Sequence, residues 1–361
     1  MSLKSSTIYF QRSTFFLDVI KALSITAVVS YHSLFVPYST YASSALFIDI
    51  LFSPLRFCVP VFLTISFLLL QRGLTTRPNK SALALLKKRL FRLAIPTAFW
   101  FSLAATIKLA TGNSPLEIST AVLTGEIFTG AYYLLSMFQL IPVFILTRHY
   151  IGNFITLITT LLLQLLVFIF IQASLAGFIA PEIIKVLQTF QRIPLIYWFA
   201  YLALGAYCYH KLPLIRKKSA HTPNQAKVLL ILLTGVLMMA EYSWLGKITA
   251  GNVPPFEYIM FFCLISVPVA FLCFSCVEAQ KFPLLVTQTV TILSRYSLGI
   301  FCINGLVSQI LLSLGSNIFA EATFNLAEIL GIKFVGWCLL LAISLSLSIL
   351  LYKIGLKSVV C

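Results

Sequence analysis

The sequence has few charged residues, and few of those are acidic. Its 361 residues include only 10 Asp and Glu against 26 Lys and Arg, and charged residues make up 10% of the chain. A soluble globular domain carries about 25% charged residues, whereas 60% of this chain is hydrophobic. This composition excludes a soluble globule and predicts an all-α polytopic membrane protein.

The sequence also lacks the residue clusters that hold metal ions or form redox pairs. Cys273 and Cys276 have a suggestive spacing, but no second pair accompanies them. Most of the eight cysteines lie within apolar runs, where cysteine behaves as a small hydrophobic residue. We therefore expect no metal site and no tightly bound cofactor.

The excess of basic residues lies mostly in short segments between apolar runs. Such a distribution sets the orientation of a membrane protein, so nucleic-acid binding is not expected. If Lys4 and Arg12 are cytoplasmic, the basic segments 72–92 and 211–227 are cytoplasmic as well, and both termini are predicted to lie in the cytoplasm. No small-residue cleavage site follows the first apolar run, which is therefore predicted to be retained as a span.

About ten apolar runs are predicted to be transmembrane helices of one membrane domain that covers residues 1–361. Two outer loops, 112–130 and 174–194, are long enough for short re-entrant or interfacial helices. No internal repeat, soluble domain or appended periplasmic domain is expected. The predicted spans are 14–37, 50–71, 93–111, 131–148, 152–173, 195–210, 227–246, 257–279, 296–314 and 333–354.

The first apolar run carries three ionisable residues, Asp18, Lys21 and His32. Ionisable side chains are costly in hydrocarbon, so their presence in a span indicates a functional site. At about 100° per residue, Lys21 and His32 leave the same face of a helix, and Asp18 lies on that face one turn earlier. The run therefore predicts a polar stripe in which about 16 Å of helical rise separates Lys21 from His32.

The segment before the third run ends in a basic cluster, residues 87–92. In a helix, Arg89 and Arg92 share one face and can together bind a phosphate, since planar guanidinium groups match phosphate oxygens. The alternative is that the cluster only contacts the headgroups of anionic lipids. The spacing alone leaves both interpretations open.

Five segments occur in an order that is known from one protein family. They are Leu17–Ala22 with the later His32, Arg56–Ser66, Lys88–Pro96, Tyr132–Pro142 and Ser294–Phe301. Together they resemble the acyltransferase 3 family of bacterial integral-membrane acyltransferases, which move an acyl group from cytosolic acyl-CoA to envelope sugars and polysaccharides. The resemblance covers most of the chain and implies a stand-alone O-acyltransferase.

The resemblance implies a bacterial inner-membrane enzyme with acyl-CoA, most simply acetyl-CoA, as donor substrate. The acceptor would be an envelope polysaccharide or a lipid-linked saccharide on the far side of the membrane. In this interpretation His32 is the base that takes the hydroxyl proton, because histidine titrates near working pH. Lys21, Arg89 and Arg92 would hold the phosphates of the donor, and Asp18 would pair with Lys21 or orient the cationic residues.

Three further polar side chains bear on the predicted site. Arg56 either meets the acceptor or a carboxylate at the outer end of a cavity, or extends to the outer interface. Lys21 stands where the family more often has arginine, and lysine lacks the planar set of N–H donors that a guanidinium group offers to a phosphate. Asn304 stands near a position that is often histidine, and an amide does not titrate as an imidazole does.

A transporter or flippase of a glycolipid or acyl intermediate is the alternative function, because it would also need buried charges and a cavity. Such proteins are often built from two halves with matching interrupted spans. The sequence shows no such halves. The acyltransferase is therefore the favoured prediction.

Overall fold

The computed structural model describes residues 14–76, 81–179, 181–251, 253 and 256–361. Over these ranges the chain forms helices and loops without any strand, which confirms the predicted all-α class. Lys4 and Arg12, on which the predicted orientation partly depends, lie outside the described residues.

The helices are numbered here in chain order. The first eight are α1 Phe15–Tyr31, α2 Ala42–Phe52, α3 Cys58–Thr75, α4 Ala82–Ala110, α5 Pro115–Leu123, α6 Tyr132–Leu146, α7 Phe154–Leu175 and α8 Pro181–Phe190. The others are α9 Phe199–His221, α10 Asn224–Ile248, α11 Phe261–Phe274, α12 Leu284–Arg295, α13 Ser297–Ile318, α14 Leu326–Lys353 and α15 Lys357–Val360.

Within the described part of the chain, six helical segments are long and apolar enough to cross a membrane. They are Tyr38–Thr75, Ala82–Ala110, Phe154–Leu175, Asn224–Ile248, Ser297–Ile318 and Leu326–Lys353. The helices α6 and α11 are apolar but shorter, with 15 and 14 residues. These helices confirm a multi-pass membrane protein, whereas the number of ten spans and the side on which the termini lie stay predictions.

The first two predicted spans differ from the observed helices. The first span was expected to extend to residue 37, but α1 ends at Tyr31 and His32 is its C-cap. The second was expected to be one helix over residues 50–71, but this range contains the end of α2, a 3₁₀ turn, Ser53–Phe57, and most of α3. Pro54 lies in the first turn of that 3₁₀ segment, where its missing N–H interrupts the hydrogen bonds of a continuing α-helix.

The predicted loop helices are present, whereas α12, α15 and most of α2 lie outside the predicted spans and loops. The outer loops contain α5 and α8, and the basic segment 87–92 is helical because α4 already begins at Ala82. The hydroxyl of Ser81 caps this start by accepting a hydrogen bond from the Ala84 N–H. Sequence analysis did not predict α12, which lies directly before the late apolar run.

The helix α1 lies at the centre of the bundle. It packs against α3, α11, α12, α13 and α14. Large apolar residues of α1, among them Phe16, Ile20 and Ile25, are almost completely buried in these contacts. The ionisable residues of α1 are therefore held among other helices.

Candidate active site

A cavity of about 330 Å³ brings the predicted donor-binding residues together. Lys21 of α1 and Arg89 and Arg92 of α4 all line it, and we call it the cationic cavity. Arg89 is half-buried and Arg92 is exposed. Because the two arginines are three residues apart on a helix, they reach the cavity from one face of α4. Apolar residues of α3, α6 and α13 form much of the remaining wall.

Asp18 has a hydrogen-bond partner that the sequence did not predict. Its Oδ1 accepts a hydrogen bond from the Ser294 hydroxyl at 2.6 Å, which ties α1 to α12. The ion pairs within the described part of the chain do not join Asp18 to Lys21. The carboxylate therefore lies near the cationic residues while its hydrogen bond goes to a neighbouring helix.

His32 lines a second, smaller cavity of about 60 Å³, which we call the histidine cavity. The position of His32 depends on close backbone contacts of the residues that directly follow α1. A Cβ atom at Gly336 would overlap the carbonyl oxygen of Ser33, and one at Gly315 would overlap that of Phe35. Only glycine permits such an approach, so α13 and α14 together fix the point where α1 ends.

A buried charge cluster forms part of the wall of the histidine cavity. Arg56 Nη1 lies 2.7 Å from Glu257 Oε1, and Arg192 Nη2 lies 2.6 Å from the same oxygen. Arg56 and Glu257 are 2% and 1% exposed, and Arg192 is 23% exposed. Two guanidinium groups against one carboxylate leave a net positive charge beside His32.

Aromatic rings hold the guanidinium of Arg56 in this cluster. Its Cζ lies 4.8 Å from the ring centroid of Tyr31 and 4.7 Å from that of Tyr242, which are cation–π distances. The side chain therefore lies inside the bundle against a carboxylate. It does not extend to the outer interface, which was one of the two alternatives for Arg56.

A third cavity, of about 230 Å³, also has His32 in its wall. Asp49 of α2, Gln309 of α13 and Lys333 of α14 line it as well, and we call it the polar cavity. Lys333 is only 5% exposed, and its Nζ donates a hydrogen bond to the carbonyl oxygen of Ser30 at 2.8 Å.

The histidine cavity adjoins both of the other cavities. Val59 and Phe301 line both the cationic and the histidine cavity. Tyr31, His32 and Thr129 line both the histidine and the polar cavity. The histidine cavity, with His32 in its wall, therefore lies between the cationic cavity and the polar cavity.

Sequence analysis missed Asp49, Arg192, Glu257 and Lys333 as site residues. They lie far apart in the sequence, in loops or near helix ends, so no spacing groups them. The sequence does carry a weaker signal for two of them, because Glu257 and Lys333 stand at the start of apolar runs. In the described ranges there is no group of three or more His, Cys, Asp or Glu that could hold a metal ion, and all eight cysteines are free.

Comparison with known protein families gives a match over nearly the whole chain. The sequence model of a family described as an acyltransferase domain matches residues 14–353, nearly the whole chain. The matched range contains all the residues that line the three cavities except Cys361. No curated protein and no solved structure matches the chain.

Proposed function

Because this chain belongs to the acyltransferase 3 family of membrane acyltransferases, we propose that it is an O-acyltransferase of the bacterial inner membrane. It moves an acyl group, most simply acetyl, from cytosolic acyl-CoA to a hydroxyl of an envelope glycan or lipid-linked sugar on the outer side. The observation that carries this proposal is the position of His32 between a cavity lined by three cations and a polar cavity.

The cationic cavity is the donor site in this proposal. Lys21, Arg89 and Arg92 line it together and offer the positive charge that the phosphates of acyl-CoA require. The apolar wall beyond these cationic residues suits the extended pantetheine arm of acyl-CoA, which carries the thioester. The acyl group then comes to His32 past Val59 and Phe301, which line both cavities.

His32 is the base in this proposal. It takes the proton of the acceptor hydroxyl as the oxygen attacks the thioester carbon, which forms a tetrahedral oxyanion. When that intermediate collapses, the carbon–sulfur bond breaks, the ester remains on the acceptor, and His32 returns the proton to the thiolate of CoA. The polar cavity holds the acceptor, and Asp49 and Gln309 offer hydrogen bonds to its hydroxyl groups.

The charge cluster stabilises the oxyanion. Its net positive charge lies in the wall of the same cavity as His32 and is held in place before any substrate binds. Fixed charge in a water-poor site stabilises developing negative charge without reorganising at the moment of reaction. Arg192 is the more exposed of the two arginines, so we assign the contact with the oxyanion to Arg192.

A flippase would use the same cavities to move a lipid-linked sugar across the membrane. The family match favours acyl transfer over this alternative, because the family is one of acyltransferases. The two functions differ in their product, since only the enzyme adds a new ester to a glycan.

Mass analysis of surface glycans tests the proposal directly. Cells that contain the protein should carry an acyl ester, 42 Da for acetyl, that is lost when the gene is deleted and restored when it is returned. Purified protein in vesicles should transfer radiolabel from acyl-CoA to the same glycan. Unchanged glycan masses together with absent label transfer would refute the proposal.

A further inference from the structure

A large apolar groove lies on the opposite side of α1 from the catalytic cavities. It has a volume of about 540 Å³ and is bounded by α1, α10, α11, α14 and the 3₁₀ turn before α3. Leu23 and Ile231 line it and are 42% and 41% exposed, so the groove opens to the outside of the bundle. In a membrane, that opening faces lipid.

The helical period explains why the groove and the catalytic cavities lie on opposite faces. Ile20, Leu23, Ala27 and Ser30 of α1 line the groove. At about 100° per residue, their mean direction is roughly 180° from the stripe that contains Lys21. One helix thus separates an apolar compartment from a polar one along most of its length.

The groove and the catalytic cavities meet at the end of α1. Phe52 lines both the groove and the polar cavity, and Leu55 lines both the groove and the histidine cavity. An elongated molecule in the groove could therefore pass around the end of α1 and place its other end beside His32.

Lys333 lies at this junction. Its Nζ is 4.4 Å from the ring centroid of Phe52 and donates a hydrogen bond to the carbonyl oxygen of Ser30, a residue of the groove wall. The residue also lines the polar cavity, and no ion pair within the described ranges joins it to Asp49. Asp49 lies in the same cavity wall but is not in direct contact with this ammonium. A buried ammonium that is not neutralised by a contacting carboxylate, where an apolar compartment meets a polar one, suits an anionic group.

We infer that the acceptor is an amphiphile, a saccharide joined through phosphate to a long apolar chain. The chain lies in the groove, the phosphate meets Lys333 at the junction, and the sugar occupies the polar cavity with one hydroxyl at His32. This inference rests on the proposed function and narrows its acceptor from glycans in general to lipid-linked ones. An ordinary membrane lipid in the groove would fill the apolar part but would bring no sugar to His32.

Kinetics with two acceptors test the groove. The ratio of kcat/KM for the lipid-linked saccharide to that for the same saccharide without lipid should be large in the unmodified protein. Gly235 lines the groove, and a Cβ atom there would meet Pro54 at 3.8 Å, an ordinary contact distance. Gly235→Leu should therefore place its side chain in the groove and lower this ratio about tenfold. Gly246→Leu is the matched control, because Gly246 lies on the same helix with open space beside it.

Direct binding tests the phosphate contact without relying on activity. A long-chain isoprenyl phosphate, added to protein in detergent, should raise the Tm more than the corresponding isoprenyl alcohol does. Lys333→Met should abolish this difference, and Lys333→Arg should retain it. Phosphatidic acid serves as a third ligand, and an equal effect of phosphatidic acid would show a general site for anionic lipid and overturn the inference.

The kinetics with the two acceptors distinguish a failure of this inference from a failure of the proposed function on which it rests. If the unmodified protein acylates both acceptors with equal kcat/KM, the acceptor does not use the groove and the inference is wrong, while the proposed function stands. If neither acceptor is acylated, the proposed function fails as well. A preference for the lipid-linked acceptor that Gly235→Leu removes and Gly246→Leu retains would support the inference.

Discussion

The cationic cavity and the charge cluster beside His32 both contain arginines, yet they are built differently. Arg89 and Arg92 are neighbours on one helix, and Arg92 is exposed. Arg56 and Arg192 come from distant segments and share one oxygen of a buried carboxylate. The exposed Arg92 of the first pair can exchange water for a ligand, whereas the second pair is fixed before any ligand arrives.

This difference indicates what each pair contributes. Charges that remain near solvent suit a substrate that binds and leaves, and their effect on affinity is modest and sensitive to salt. Charges that are buried and paired are costly to separate, but they remain oriented towards the reacting atoms. We therefore expect changes in the cationic cavity to affect donor binding and changes in the cluster to affect the fold or the chemical step.

The largest effect should come from Glu257→Gln. The buried guanidinium of Arg56 and the partly exposed one of Arg192 would lose their only carboxylate in the cluster, and breaking a buried ion pair typically costs about 3–5 kcal/mol. The free energy of unfolding in detergent, followed by denaturant titration, should fall by that amount. Glu321→Gln, which removes an exposed carboxylate, is the control and should leave it unchanged. An equal free energy of unfolding in the two variants would show that the negative charge of Glu257 does not stabilise the fold.

His32→Ala should leave the protein folded and remove the base. We expect the rate of acyl transfer to fall about 10²- to 10⁴-fold, the usual contribution of a general base. Single-turnover transfer of label from acyl-CoA measures this step. His221→Ala, which alters an exposed histidine at the end of α9, should have no effect. Normal transfer in His32→Ala would remove His32 from the chemistry.

Arg192→Gln should lower kcat about 100-fold, because an uncharged amide stabilises the oxyanion less than a guanidinium does. The KM for acyl-CoA should not change, since Arg192 does not line the cationic cavity. Arg192→Lys should have a higher kcat than Arg192→Gln, because lysine keeps the positive charge but lacks the planar N–H donors of a guanidinium group. A rise in KM with kcat intact would place Arg192 in substrate binding instead.

The smallest effect should come from Arg92→Gln in the cationic cavity. Because the side chain is exposed, we expect the KM for acyl-CoA to rise only about fivefold, with little change in kcat. The KM of the unmodified protein should also rise with salt. Lys87→Gln, on the same helix but outside the cavity wall, is the control for charge. An equal rise in the KM for acyl-CoA in both variants would indicate that the positive surface attracts acyl-CoA in general and that the cationic cavity is not a donor site.

The sequence was most informative where the pattern is local. The apolar runs predicted the helical membrane class, and the three-residue spacing predicted that Arg89 and Arg92 share a helix face, from which both line one cavity with Lys21. The sequence was less informative where helices end or break. Pro54 interrupts the second span, and α1 stops at Tyr31, one residue before His32.

The sequence by itself determined that this chain is an α-helical membrane protein and that α1 carries a polar stripe, because helical period and hydrophobicity are local properties of the chain. Only the tertiary structure decided which residues surround His32. Arg56, Arg192 and Glu257 meet because buried charges need a partner wherever the fold brings one close. The close backbone contacts at Gly315 and Gly336, which fix His32 between the cavities, likewise join segments that are about 300 residues apart.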